Sequence, residues 1–216
     1  HLTLTDFKPL SKKYILNVNG KMPSNLSLLI KCLQKKIDKK QIFDEIDLQI
    51  QNFKKYLGFD PNFIDGHHHV HQFPLIRECL IDVIKKRKLV EKIWVRNTHE
   101  KLNKIINRNV SIFKAYMISI FGKRFKYLVK KNSIKTNDGF SGIYNFSSKA
   151  NFEELFIKFI KQSGKNHVLM VHPGYSDEIL SNLDSVTITR DMEYNFLLSN
   201  DFLNILKKKN KILKKL

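Results

Sequence analysis

Cysteine is scarce. Cys32 and Cys79 are the only two in 216 residues, too few for a disulfide framework and too far apart for a zinc knuckle. Each lies in an apolar helical context, so buried free thiols are expected. Long apolar runs are missing too. No stretch reaches the ~20 residues of a membrane span; the best candidate, Val110 to Phe121, is short and interrupted by Lys114. No signal peptide opens the chain, and the expected setting is cytoplasmic. There is no Gly-rich phosphate loop, no paired Cys-x-x-Cys and no RNP-type aromatic run. Acidic side chains are also outnumbered, 20 against 39 Lys and Arg, for a formal charge of +19.

A surplus of that size suits nucleic acid, an anionic membrane face or an acidic substrate. The lysines, however, are dispersed along the chain, at Lys35-Lys36, Lys54-Lys55, Lys85-Lys86 and Lys130-Lys131 alike. They sit mostly beside Ile, Asn and Phe, as in a chain with an overall Lys, Ile and Asn bias. A solvated basic surface is therefore expected, with no specific nucleic-acid partner. A basic binding module for anionic polymers is the alternative. The hydrophobic fraction of 42% and aromatic fraction of 11% are globular values and exclude wholesale disorder. The length suits one domain. The chain begins at His1 and not Met, and Leu2-Thr3-Leu4 reads as the end of a strand already under way. An upstream segment is therefore expected.

His1 to Thr5 alternates like a strand and Lys8-Pro9-Leu10-Ser11 breaks it. Ser24 is placed as the N-cap of a short helix through Leu33. Ile42, Ile46, Ile50, Phe53 and Leu57 recur at helical spacing and Gly58 stops them. Phe63-Ile64-Asp65 reads as a strand running into the histidines that follow. A helix is expected from about Pro74 to Lys88, then a strand over Lys92–Arg96. Leu102 to Lys131 reads as a basic helical stretch, broken near Gly122, and is treated as an insertion at about 101–132. Asp138 to Gly142 reads as a turn-rich loop and Phe152 to Ile160 as a helix. Val168 to Val171 is expected as a strand buried on both faces, and the tail from Arg190 as two helices. Short apolar strands alternating with amphipathic helices indicate an α/β fold with a parallel, barrel-like sheet. In such folds chemistry gathers where strands end. His1, His67, Arg96 and His172 all sit in or just after expected strands.

The strongest chemical signal is His67-His68-His69-Val70-His71, four histidines in five positions. Extended backbone would point His67, His69 and His71 one way and His68 the other. Neutral imidazole is the commonest metal ligand, and the nearby Asp65 is suited to orient a ring nitrogen. The alternative is a polar turn of solvated histidines, and spacing does not say which imidazole binds. His172, before Pro173 and Gly174, is either functional or an ordinary hydrogen-bonded residue at a strand end.

Asp65-Gly66-His67-His68-His69-Val70-His71, followed by Phe73-Pro74, resembles the Asp-Ser-His-x-His-Val-His element of the YdjC-like carbohydrate deacetylases. That group includes chitooligosaccharide deacetylase and hopanoid-biosynthesis-associated proteins. Collinear pieces agree: His1-Leu2-Thr3-Leu4-Thr5 with Lys8-Pro9-Leu10, Gly139-Phe140-Ser141, and Val171-His172-Pro173-Gly174-Tyr175. The resemblance spans nearly the whole chain, least so over Leu102–Lys131. It implies a single domain over 1–216 with a distorted (β/α) barrel related to the NodB-like polysaccharide deacetylases, its first strands missing here. It also implies a divalent metal, Mg²⁺ or Zn²⁺, with His1 and His67 as two of its ligands. The family's Asp-Asp-Phe-Gly element, which supplies the carboxylate ligand and the general base, has no counterpart, and Asp60 lies before the wrong strand to replace it. By the same resemblance His172 protonates the departing amine. Arg96 contacts substrate or pairs with a site carboxylate. Tyr175 or Phe140 stacks on a sugar, or else both sit in the core. The substrate implied is an N-acetylated sugar or oligosaccharide, and a homodimer is one compatible assembly. An inactive remnant of such a deacetylase is the other reading kept open, with this chain alone expected to be inactive.

Overall fold

Helices form where the sequence supplies both an apolar stripe and its ends. In α1 (Asn25–Leu33) Leu28 and Cys32 are buried one turn apart, and Ser24 holds the N-cap position without a side-chain hydrogen bond. In α2 (Lys39–Leu57) Ile42, Ile46 and Ile50 face inward. Asp38 caps its N-terminus by accepting from the Lys40 amide at 2.8 Å. Gly58 ends it at φ +80°, the left-handed conformation in which glycine carries no Cβ penalty. The structure, a computed structural model, describes residues 1–12, 19–184 and 186–214. They divide into two compact units, His1–His99 with Ile120–Asn137, and Glu100–Ser119 with 138–214.

In the first unit β1 (Phe63–Ile64) pairs in parallel with β2 (Trp94–Val95), Phe63 opposite Trp94 and Ile64 opposite Val95. Parallel bridges Leu2–Gly66 and Trp94–Lys135 extend the pairing on either side. Helix α3 (Ile76–Lys86) follows the histidine run. The core is mainly aliphatic, with Ile42, Ile46, Leu80, Ile84 and Val95 fully buried, and Phe125 is buried among them. Asn97 and Asn137 exchange side-chain-to-backbone hydrogen bonds of 2.7–2.8 Å, continuing the parallel contact beyond the bridge. Cys32 and Cys79 are free and buried, as expected. Burial pushes the Cys32 thiol up to about 12 and that of Cys79 up to about 11.

The second unit pairs β3 (Gly139–Ser141) with β4 (His167–Leu169), again in parallel. Its core is aromatic: Tyr144, Phe152, Phe156, Phe159, Phe196 and Phe202, from α6 (Phe152–Ile160), α8 (Ile188–Leu198), α9 (Asn200–Lys208) and the loop after β3. Beneath β3, Arg108 at the end of α4 (Leu102–Arg108) meets Glu100 at 2.8 Å and donates to the Phe140 carbonyl. A mixed α/β architecture with parallel pairing is thus present. The pairing among the described residues does not close into a barrel.

Several expectations need correction. The helical stretch breaks at Asn109–Ser111, where Asn109 and Ser111 have positive φ, and α5 (Ile112–Lys131) runs straight through Gly122. Gly122 is a contact glycine: a Cβ there would lie 2.4 Å from the His99 nitrogen. Gly139–Ser141 is a buried strand, because its partner β4 satisfies its backbone. Residues 168–171 are only partly buried, so the continuous apolar run does not mark a strand covered on both faces. Helix α7 (Glu178–Leu183), capped by the Asp177 side chain at the Leu180 amide, had not been expected.

Candidate functional site

The histidine run begins where β1 ends, and it is not extended. His67–Gln72 forms a 3₁₀ turn, with His68 at φ +51° and His69 at φ +61°. Two successive left-handed residues remove the alternation that a strand would impose: the rings of His67 and His68 lie together, centroids 3.8 Å apart, while His69 and His71 turn to other partners. His71 turns into the core, fully buried, its Nε2–H donating to the Arg96 carbonyl at 2.7 Å. Its Nδ1 sits where a Cβ on Gly66 would reach within 2.6 Å, so the glycine makes room for the ring. Burial, then the Arg96 guanidinium, push its pKa down to about 3, and it stays neutral.

His67 stays on the other side, beside His1. The Leu2–Gly66 bridge brings the two together: the Leu2 amide donates to Asp65 and the His67 amide to Leu2, each at 2.8 Å. Their rings stand edge-to-face with centroids 5.6 Å apart. Asp65 ties this group together. Its Oδ1 lies 2.5 Å from His1 Nδ1 and its Oδ2 3.2 Å from Arg96 Nε. Arg96 also reaches His69 Nδ1 at 3.0 Å and the Gly66 carbonyl at 3.1 Å. The guanidinium is nearly buried, and burial lowers its pKa while Asp65 opposes the shift. Arg96 therefore pairs with Asp65, and Asp65 orients the ring of His1. An imidazole held through Nδ1 by a carboxylate presents Nε2 outward, the arrangement typical of metal-bound histidines. The donor set is nonetheless incomplete. Among the described residues no group of three or more His, Cys, Asp or Glu is arranged to hold a metal ion.

His172 and Tyr175 belong to the second unit. His172 follows β4, its ring 28% exposed and edge-on to Phe146 at 5.1 Å. Tyr175 is 72% exposed and rests against Tyr194, centroids 4.7 Å apart. The core alternative for Tyr175 is thus wrong, since its side chain stands in solvent. For Phe140, 2% exposed, it is right. One residue escaped notice in the sequence. Glu193, fully buried on α8, accepts from the Tyr144 hydroxyl at 2.6 Å and from the His172 amide. The signal was present, because Thr189, Glu193 and Phe196 share the buried stripe of α8, and an acid on such a stripe needs a partner.

A model described as YdjC-like protein matches residues 1–208. A chitooligosaccharide deacetylase of Proteus mirabilis (strain HI4320) is 33% identical over 89 residues, 41% of this chain. The matched stretch spans only 34% of that relative's length. With the family match running through both units, the chain belongs to the YdjC-like family.

Proposed function

We propose that this chain belongs to a single-domain carbohydrate deacetylase that hydrolyses the N-acetyl group of an amino sugar or oligosaccharide. The observation that carries the reading is the Asp65-centred cluster of His1, His67 and Arg96 at the end of β1. The parallel pairs with helices between them support a distorted (β/α) barrel of the NodB-like kind. Both units are included because the family match runs through both.

His1 and His67 are the residues that would hold a divalent cation, Mg²⁺ or Zn²⁺. Such an ion, when bound, polarises the acetyl carbonyl and acidifies a water. Two imidazoles fall short of the usual three protein ligands of a catalytic site. The remaining carboxylate and the general base are assigned to the family's Asp-Asp-Phe-Gly element, outside this sequence. Asp65 fixes the His1 ring and tautomer, and Arg96 in turn fixes Asp65. Attack of water on the amide carbon and loss of the amine require a proton at nitrogen, because an amide anion does not leave. His172 is assigned to deliver it, as an imidazole able to act as a general acid. Tyr175 offers an exposed ring on which a sugar face can stack.

The test is acetate release from N-acetylated chitooligosaccharides with added Mg²⁺ or Zn²⁺. A protein extended to include the Asp pair should be active. The 216-residue chain should fall short by at least the ~10²–10⁴ that loss of a general base costs. Equal turnover by both would refute the assignment. A second reading, a remnant that binds metal weakly without turnover, draws on the incomplete donor set. Inactivity of the extended protein would favour it.

A further inference from the structure

Glu193 stands apart from the groups considered so far. Its carboxylate is fully buried in the aromatic core of the second unit. A buried carboxylate ordinarily sits against Lys or Arg or gathers several hydrogen bonds, because desolvating its charge is costly. No Lys or Arg ion-pairs with Glu193 among the described residues. It has instead the Tyr144 hydroxyl on Oε1 and the His172 amide on Oε2. The His172 ring is adjacent: its Nδ1 lies 3.9 Å from Oε1 and has no hydrogen-bond partner among the described residues.

The rest of α8 holds the same loop. The Gly174 amide donates to the Arg190 carbonyl at 3.3 Å, and the Ser176 amide to Asp191 Oδ1 at 3.2 Å. Three successive attachments, at 172, 174 and 176, clamp the segment along one helix. Only the attachment at Glu193 also faces the imidazole. Phe146 meets it edge-on, Tyr144 shares the carboxylate, and the Lys114 ammonium lies 5.1 Å above the Phe146 ring. Of these, Glu193 alone carries negative charge, and its nearest approach is to Nδ1.

We infer that Glu193 is the positioning residue of His172: it fixes the backbone of the His172 loop and supplies the counter-charge for the imidazolium. Protonated at both nitrogens, the ring faces Glu193 with its Nδ1 side at the ion-pair separation of 3.9 Å and keeps its Nε2–H for the substrate. Loss of the Nε2 proton to the departing amine returns the ring to neutrality, with the Nδ1 side still facing Glu193. Nothing else is consumed. The inference rests on the reading of His172 as the proton donor. The phenol of Tyr144, pushed upward by burial and by its bond to Glu193, remains a donor to the carboxylate throughout.

The deciding experiment follows the imidazole nitrogens of His172 by long-range ¹⁵N–¹H NMR across the titration, in the wild-type chain, Glu193→Gln and Tyr144→Phe. Removing the carboxylate charge should lower the His172 midpoint by at least ~1 pH unit, a tenfold loss of proton affinity. Tyr144→Phe relieves Glu193 of a competing donor and should raise the midpoint, which decides the matter should Glu193→Gln fail to fold. A His172 midpoint that moves in neither variant overturns the inference. Acetate release by His172→Ala in the extended protein tests the underlying reading separately. Full turnover there removes the proton-donor role while leaving the Glu193–His172 coupling to stand on the NMR result.

Discussion

His71 and His167 make acid stability a sharp test of the packing. Each is pushed down to about 3, His71 by burial and then Arg96, His167 by burial and then Arg108, Lys104 and Lys211. His71 lies in the first unit and His167 in the second. An unfolded histidine titrates near ~6.5, so below that pH the unfolded chain binds a proton that the folded chain refuses. Stability is therefore complete above ~6.5 and is lost as pH falls towards the folded value of about 3. Between pH 7 and pH 5 each histidine should cost ~2 kcal/mol, with a limiting slope of ~1.4 kcal/mol per pH unit. Asp47 does not interfere. Its burial favours the neutral form, but Lys86 and Arg87 outweigh that and hold its carboxyl below the usual range, so it titrates at lower pH. Urea unfolding followed by Trp94 fluorescence reports the first unit. His71→Phe separates two effects. It should lose ~1–3 kcal/mol outright, because the Arg96 carbonyl is left without its donor. It should also abolish the His71 part of the pH slope. A wild-type midpoint that is flat from pH 7 to pH 5, or a slope unchanged in His71→Phe, would refute the buried neutral imidazole.

Gly122→Ala should destabilise, although alanine ordinarily gains ~1 kcal/mol over glycine inside a helix. The new Cβ would lie 2.4–2.7 Å from backbone atoms of Thr98 and His99, and overpacking of that kind costs ~1–3 kcal/mol; a urea midpoint at or above wild type would contradict the contact. Titration with Zn²⁺ should show a far larger affinity loss for His67→Ala than for His69→Ala, whose Nδ1 is taken by Arg96. Asp65→Asn should weaken binding by the ~10–100-fold typical of residues that orient a ligand, and equal losses at His67 and His69 would sink the assignment. Binding to duplex DNA should be weak, sequence-indifferent and strongly salt-dependent, as dispersed lysines imply; tight binding to one sequence at physiological salt would show otherwise.

The legible parts of the fold were those with a period. Helix α2 has its apolar residues one turn apart and a glycine stop, and α6 runs from Phe152 to Ile160 as read. The illegible parts were those decided by contacts. Gly122 looks like a breaker until the backbone it touches is known. The left-handed His68 and His69 have no signature, because neither is glycine or asparagine, so period-two reasoning assigned the wrong faces. His1 and His67 were matched to the family's ligands by motif alone, and the Leu2–Gly66 bridge supplies the reason they meet. Glu193 was overlooked as one more acid on an amphipathic helix, and only its two donors single it out.

The silence of the two thiols has a practical consequence. Cys32 and Cys79 are buried, and with thiols held at about 12 and about 11 they carry almost no thiolate at neutral pH. Maleimide and iodoacetamide react through the thiolate, so the native fold should be inert to both. A single cysteine introduced at an exposed position, Tyr175 for instance, would then be the only reactive sulfur in the molecule. A spin label or fluorophore can thus be attached at one chosen place without first removing the native cysteines from the core. Labelling at Cys32 or Cys79 would in turn report that the first unit has opened.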